Sequence, residues 1–146
     1  MPDAGHRLLI DRSLADPHVH SVALTTEEEG VALLAGADLG GARGVLLLQA
    51  AGSATASICC RSQAAGGFSL LALVSMRGDF GEGNPWQYPM GRATQPVLEA
   101  MGVICLRADD PDAALRAVGA ALTMAYQAGH AVAVLFTKKL LGAKKF

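Results

Sequence analysis

Apolar residues fall into short runs separated by longer helical stretches, and Gly, Pro or Asp bounds each run. The runs 20–24 (HSVAL), 44–49 (GVLLLQ), 69–75 (SLLALVS), 103–107 (VICLR) and 131–136 (AVAVLF) have the length of strands. Several are apolar throughout, as strands covered on both faces should be, and their alternation with helices points to a parallel sheet. Helices are expected over about 27–40, 54–65, 93–101 and 111–128, the last with Asp110 or Asp112 near its cap and Gly129 at its end. The expected fold is a three-layer α/β/α domain with a mostly parallel sheet of about five to six strands, covering residues 1–146 as a single domain. The one long loop, 78–91, is rich in Gly and Pro and follows a strand, where ligands gather in open α/β sheets.

Composition narrows the function classes. With 146 residues, 51% hydrophobic and 17% charged, the chain holds one compact core. Twelve Lys and Arg against thirteen Asp and Glu give a net charge of −1, so no general field draws it to nucleic acid or an anionic membrane. A small ligand or a protein partner is expected instead. No apolar run reaches the roughly 20 residues that span a bilayer, and the N-terminus has no signal-peptide pattern, which reads as a cytoplasmic chain. Cys59, Cys60 and Cys105 are odd in number and lack metal-ligand spacing, so neither a disulfide framework nor a zinc site is expected. His18 and His20 read as surface histidines, and the closing KKLLGAKKF as a solvated basic end.

The acidic run TTEEEGVALLAGADLGG has two readings. Thr26 with Glu29 three positions later forms a capping box, and Glu27 and Glu28 then lie in the first turn, where negative charge meets the positive end of the helix dipole. On that reading the glutamates only start a helix. The other reading comes from the surroundings, since this run, GVLLLQ and the block LVSMRGDFGEGNPWQYPMGRATQPVLEAMGV together resemble one family. It is the thiamine diphosphate-dependent sulfopyruvate and phosphonopyruvate decarboxylases, in their alpha, or pyrimidine-binding, chain.

In that superfamily a glutamate stands nine positions before a glycine on the first active-site helix, the spacing of Glu27 and Gly36 here. The resemblance therefore implies that Glu27, capped by Thr26, is the cofactor activator and Gly52 offers the backbone close to the pyrimidine. A carboxylate bonded to the pyrimidine ring nitrogen favours the imino form of the exocyclic amine, the base that the cofactor chemistry needs. Arg77 and Gln87 are candidates for holding an anionic 2-oxoacid, since a guanidinium forks onto sulfonate, phosphonate or carboxylate; a structural Arg77 pinning the loop is the alternative. Asp3 and His6, in PDAGH, match the family's first loop and are further candidates for lining the substrate pocket. The family's magnesium motif, Gly-Asp-Gly with a later Asn, is absent, and Asp79 and Asn84 are assigned no metal role. The resemblance thus implies a hetero-oligomer with a beta chain that holds Mg2+ and the diphosphate.

Two departures qualify the match. Family members carry a helix and a strand before PDAGH, so the resemblance implies an N-terminally truncated domain. Residues 53–63, SATASICCRSQ, replace a family segment resembling VGNCINMLSLP. Codons for the family string, read one nucleotide later, translate as SATASICCRSQ, which points to a local frameshift restored before Phe68. It also supports the rival function: a catalytically inactive, partner-binding remnant of the family.

Overall fold

The computed structural model describes residues 4–52 and 66–142. Four strands, β1 (Val45–Gln49), β2 (Leu70–Ser75), β3 (Ile104–Ala108) and β4 (Ala131–Phe136), pair in the order β1-β2-β4-β3 with every neighbour parallel. The inner strands β2 and β4 are the most apolar and the most deeply covered, which is why their runs were continuous. Successive side chains point to opposite faces. Leu46, Leu48, Ala72, Val74, Ala133 and Leu135 face α2 (Glu27–Leu39) and α3 (Gln87–Ala100), meeting Val31 and Leu98. Leu71, Leu73, Val132 and Val134 meet Ala121 and Ala125 of α4 (Pro111–Tyr126) on the other side. The expected α/β/α layering is present.

The sheet has four strands among the described residues, not five or six. The expected strand over 20–24 is not formed: residues 16–25 run outside the sheet, turned by the Asp16 carboxylate, which accepts from the His18 amide at 2.9 Å. Leu24 alone of that run packs against the core, while Val22 is exposed. The helix expected over 93–101 starts six positions earlier, at Gln87, and continues through Pro96. Pro96 lies in the interior of this helix, where a proline is ordinarily disfavoured.

A short 3₁₀ turn, Ala4–His6, leads into α1 (Arg7–Ala15), none of whose residues is buried. The tail expected to be solvated begins with α5 (Lys138–Leu141), and Lys138 is buried at 9% exposure. The helix expected over 54–65, with Asp3, Cys59, Cys60 and the whole 53–63 segment, lies outside the described residues. No helix among the described residues is long and apolar enough to cross a membrane.

Candidate functional site at the carboxyl end of the sheet

Helix α2 starts as the capping pattern requires. The Thr26 hydroxyl accepts from the Glu29 amide at 3.4 Å, and the Glu29 carboxylate reaches back to the Thr25 amide at 2.8 Å, one residue before the expected partner. Glu29 is thereby committed to the cap, and Glu27 is left as the first helical residue, half-buried. Gly30 lets the helix press onto β1: a Cβ there would lie 2.5 Å from Leu46 Cδ1 and 2.6 Å from Leu24 Cδ1.

Beyond β1 the chain turns into residues 50–52, which are helical, and Gly52 is buried beside Glu27. A Cβ on Gly52 would fall on the Glu27 carboxylate. Two residues 25 positions apart are thus in direct contact, and any side chain at 52 would oblige the Glu27 side chain to shift. Gly36, by contrast, has open space beside it. Gly52→Ala is expected to cost about 1–3 kcal/mol by overpacking, read as a lower urea midpoint. The same change made on Glu27→Ala, which vacates the space, should cost less; equal penalties in both backgrounds would contradict the contact.

The loop after β2 is built around one ion pair. Arg77 Nε and Nη2 donate to the Glu82 carboxylate at 2.7 and 3.2 Å, with side-chain exposures of 15% and 0%. The Asn84 amide adds a bond to Glu82 Oε1 at 3.2 Å, and the Tyr88 hydroxyl donates to the Glu82 carbonyl at 2.7 Å. The loop also packs backbone on backbone, since a Cβ on Gly91 would overlap the Arg77 carbonyl. The guanidinium foremost, with the Asn84 and Gly78 amides, outweighs burial and holds the Glu82 carboxyl at about 2, below its usual 4.5. A depressed carboxylate pKa stabilises the fold above the ordinary value and loses that contribution as pH falls through the folded one. Between pH 4.5 and about 2 the wild type should therefore lose more stability than Glu82→Gln, measured by urea unfolding at fixed pH values; parallel losses would contradict the assignment.

The remaining candidates are dispersed. Gln87 opens α3 with its Oε1 buried and without a partner among the described residues. His6 is buried, its Nε2 3.3 Å from the Leu48 carbonyl and its ring edge-on to Phe136 at 6.0 Å. That places it beneath the carboxyl halves of β1 and β4. Asp3 lies outside the described residues. Thr94, not singled out in the sequence, is buried and donates to the Ala50 carbonyl at 3.3 Å, tying α3 to the turn that carries Gly52. A cleft of about 430 Å³ opens between α3 and β3, lined in part by Asp79, Tyr88, Arg92, Gln95 and Arg107, and does not include Glu27 or Gly52. No group of three or more His, Cys, Asp or Glu among the described residues could hold a metal ion.

This geometry is carried by a chain with curated relatives along nearly its whole length. It is 29% identical over 136 residues to sulfopyruvate decarboxylase subunit alpha of Methanothermobacter thermautotrophicus, covering 92% of this chain and 82% of that protein. The corresponding subunit of Methanocaldococcus jannaschii is 29% identical over 141 residues, 93% of this chain and 81% of the relative. Over nearly its whole length the chain is similar to sulfopyruvate decarboxylase alpha subunits. No family model matches it. The stretch NPWQYPMGRAT, within the longest of the three blocks that carry the resemblance, forms the end of the Glu82 loop and the first half of α3.

Proposed function

We propose that the chain is the alpha subunit of a thiamine diphosphate-dependent 2-oxoacid decarboxylase acting on sulfopyruvate or phosphonopyruvate, its active site completed by a beta chain. The relatives named for sulfopyruvate decarboxylation support the reaction class. The observation that carries the cofactor assignment is the contact of Glu27 with Gly52 just beyond β1. A half-buried carboxylate beside a backbone with no side chain fits the edge of a flat heteroaromatic ring.

When bound, thiamine diphosphate supplies the nucleophilic carbon and the electron sink for the loss of carbon dioxide. Glu27 would contribute a proton site there, its carboxyl hydrogen-bonding the pyrimidine ring nitrogen and so favouring one tautomer of the amine. Thr26 fixes the turn that aims it. Gly30 and Gly52 keep the carboxylate close to the sheet, where less water reaches it. The magnesium ion and diphosphate are assigned to the beta chain, because this chain lacks the family's Gly-Asp-Gly motif and its later Asn.

Titration of thiamine diphosphate and Mg2+ into the alpha chain, a beta chain bearing that motif, and their mixture tests the shared site. Saturable tight binding is expected in the mixture and at least about tenfold weaker binding in either chain alone. Equal affinity of the beta chain alone and the mixture would overturn it.

A further inference from the structure

The loop between β2 and α3 carries two exposed aromatic side chains on a braced frame. Phe80 is 51% exposed and Trp86 84%, while the only charged side chain from 80 to 91, that of Glu82, is turned inward at 0% exposure. The Arg77 fork on Glu82 fixes one side of the loop. Asp79, next to Phe80, accepts from the Lys138 amide with both oxygens at 3.3 Å. The Asn84 side chain accepts from the Trp86 amide at 3.1 Å, and the Tyr88 hydroxyl closes the loop onto the Glu82 carbonyl. Both aromatic rings thus face solvent from backbone that has little freedom left to lose.

A single exposed apolar side chain is ordinary on a protein surface. An uncharged loop presenting Phe and Trp, flanked in sequence by Asp79 and Arg92, has instead the composition of a protein–protein contact, aromatic at the core and charged at the rim. Anchors that are already ordered cost little loop entropy on docking. Nucleic acid or an anionic membrane would require cations, and residues 80–91 contain none. The cleft of about 430 Å³ shares Gly78 and Tyr88 with the loop, so a partner side chain has a recess to enter. Position decides which partner fits. β1 and β2 are parallel neighbours, so the turn carrying Gly52 and this loop leave the same end of the sheet, about 5 Å apart at one strand spacing. Thr94 of α3 donates to the Ala50 carbonyl at 3.3 Å and joins the two. A chain that covers the Glu27–Gly52 contact therefore reaches the loop.

We infer that Phe80 and Trp86 are the anchors by which the beta chain docks. The inference rests on the proposed decarboxylase function and names the surface of this chain that its partner grips. A second copy of this chain fits the position less well, because it would cover the Glu27–Gly52 end of the sheet without bringing ligands for magnesium and diphosphate to it. Trp86 is the one tryptophan of the chain, so it can report its own burial.

The test labels the full chain with fluorotryptophan, which places a single fluorine resonance at Trp86, and titrates it with unlabelled beta chain. On binding, the resonance is expected to shift and to lose its broadening by a dissolved paramagnetic agent. Affinity for the beta chain should fall at least about tenfold in Trp86→Ala and in Phe80→Ala, as for aromatic anchors of an interface. It should stay within about twofold of wild type in Leu115→Ala, whose side chain is 77% exposed on α4 across the sheet. Each alanine variant alone should keep the wild-type thermal midpoint within about 2 °C, because the side chain removed is largely exposed. An assembled complex that releases carbon dioxide, with the resonance unmoved and both variants binding as wild type, overturns the inference while the decarboxylase reading stands. So does a resonance that answers to sulfopyruvate and not to the beta chain, which makes the loop a substrate contact. A resonance that moves as this chain is concentrated alone, and no further when the beta chain is added, makes it a contact between copies and also overturns the inference. Wild-type chains that neither associate nor release carbon dioxide defeat the reading itself, and the docking surface with it.

Discussion

Carbon dioxide release from sulfopyruvate is expected to fall at least about 100-fold when Glu27 is replaced by Gln, the range that a positioned acid–base group contributes. Gln keeps the shape that fills the space beside Gly52 and keeps the helix start intact, because Thr26 and Glu29 make the cap. On the proposed role, what it loses is the ability to give or take a proton at the pyrimidine nitrogen. The variant complex should therefore assemble, unfold within about 1 kcal/mol of wild type, and still bind thiamine diphosphate. Glu28→Gln is the control. It shares the first turn and the half-buried environment, so a purely electrostatic role at the helix dipole would make the two variants alike. Retention of more than about a tenth of the activity in Glu27→Gln would remove Glu27 from the chemistry.

The second large effect concerns stability. Arg77→Met leaves the Glu82 carboxylate enclosed without its guanidinium, and breaking a buried pair from one side typically costs about 3–5 kcal/mol. The lower end of that range applies, because Arg77 keeps some contact with water. A loss of about 3 kcal/mol should be read in urea unfolding, with a similar loss for Glu82→Leu. The double variant Arg77→Met with Glu82→Leu replaces both charges by apolar groups and should lose clearly less than the two single losses combined. The loop positions Gln87, Tyr88 and the start of α3, so activity should fall together with stability. Strict additivity of the two changes would show that the pair contributes no coupling.

The sheet was legible because its inner strands carry no polar interruption. The run 131–136 matches β4 residue for residue, and the runs 69–75 and 44–49 each contain one extra residue at the start. The expected start of α2 at 27 is also met, since Thr26 announces the cap. HSVAL failed because apolar alternation over five residues does not by itself supply a neighbour to pair with, and Asp16 turns the chain aside. The expected start of α3 fell six positions late, and the helix tolerates Pro96 in its interior.

The candidate site was legible unevenly and for a different reason. Nothing in the periodicity joins Glu27 to Gly52; the family resemblance paired them, and the fold brings them into contact. Glu82 was invisible because an ion pair five residues apart in a glycine-rich loop depends on the path of that loop. Lys138 was read as part of a solvated basic tail, since a Lys-Lys pair near a terminus carries no sign that Thr137 and Asp79 draw it inward. The segment 53–63, with its frameshift pattern, lies outside the described residues.

The most direct test of the central claim is carbon dioxide release from sulfopyruvate by the wild-type chain mixed with its beta partner, thiamine diphosphate and Mg2+. Continuous release that requires both chains, at a rate proportional to the assembled complex, is predicted. A soluble, assembled complex that binds the cofactor and releases no carbon dioxide would contradict it.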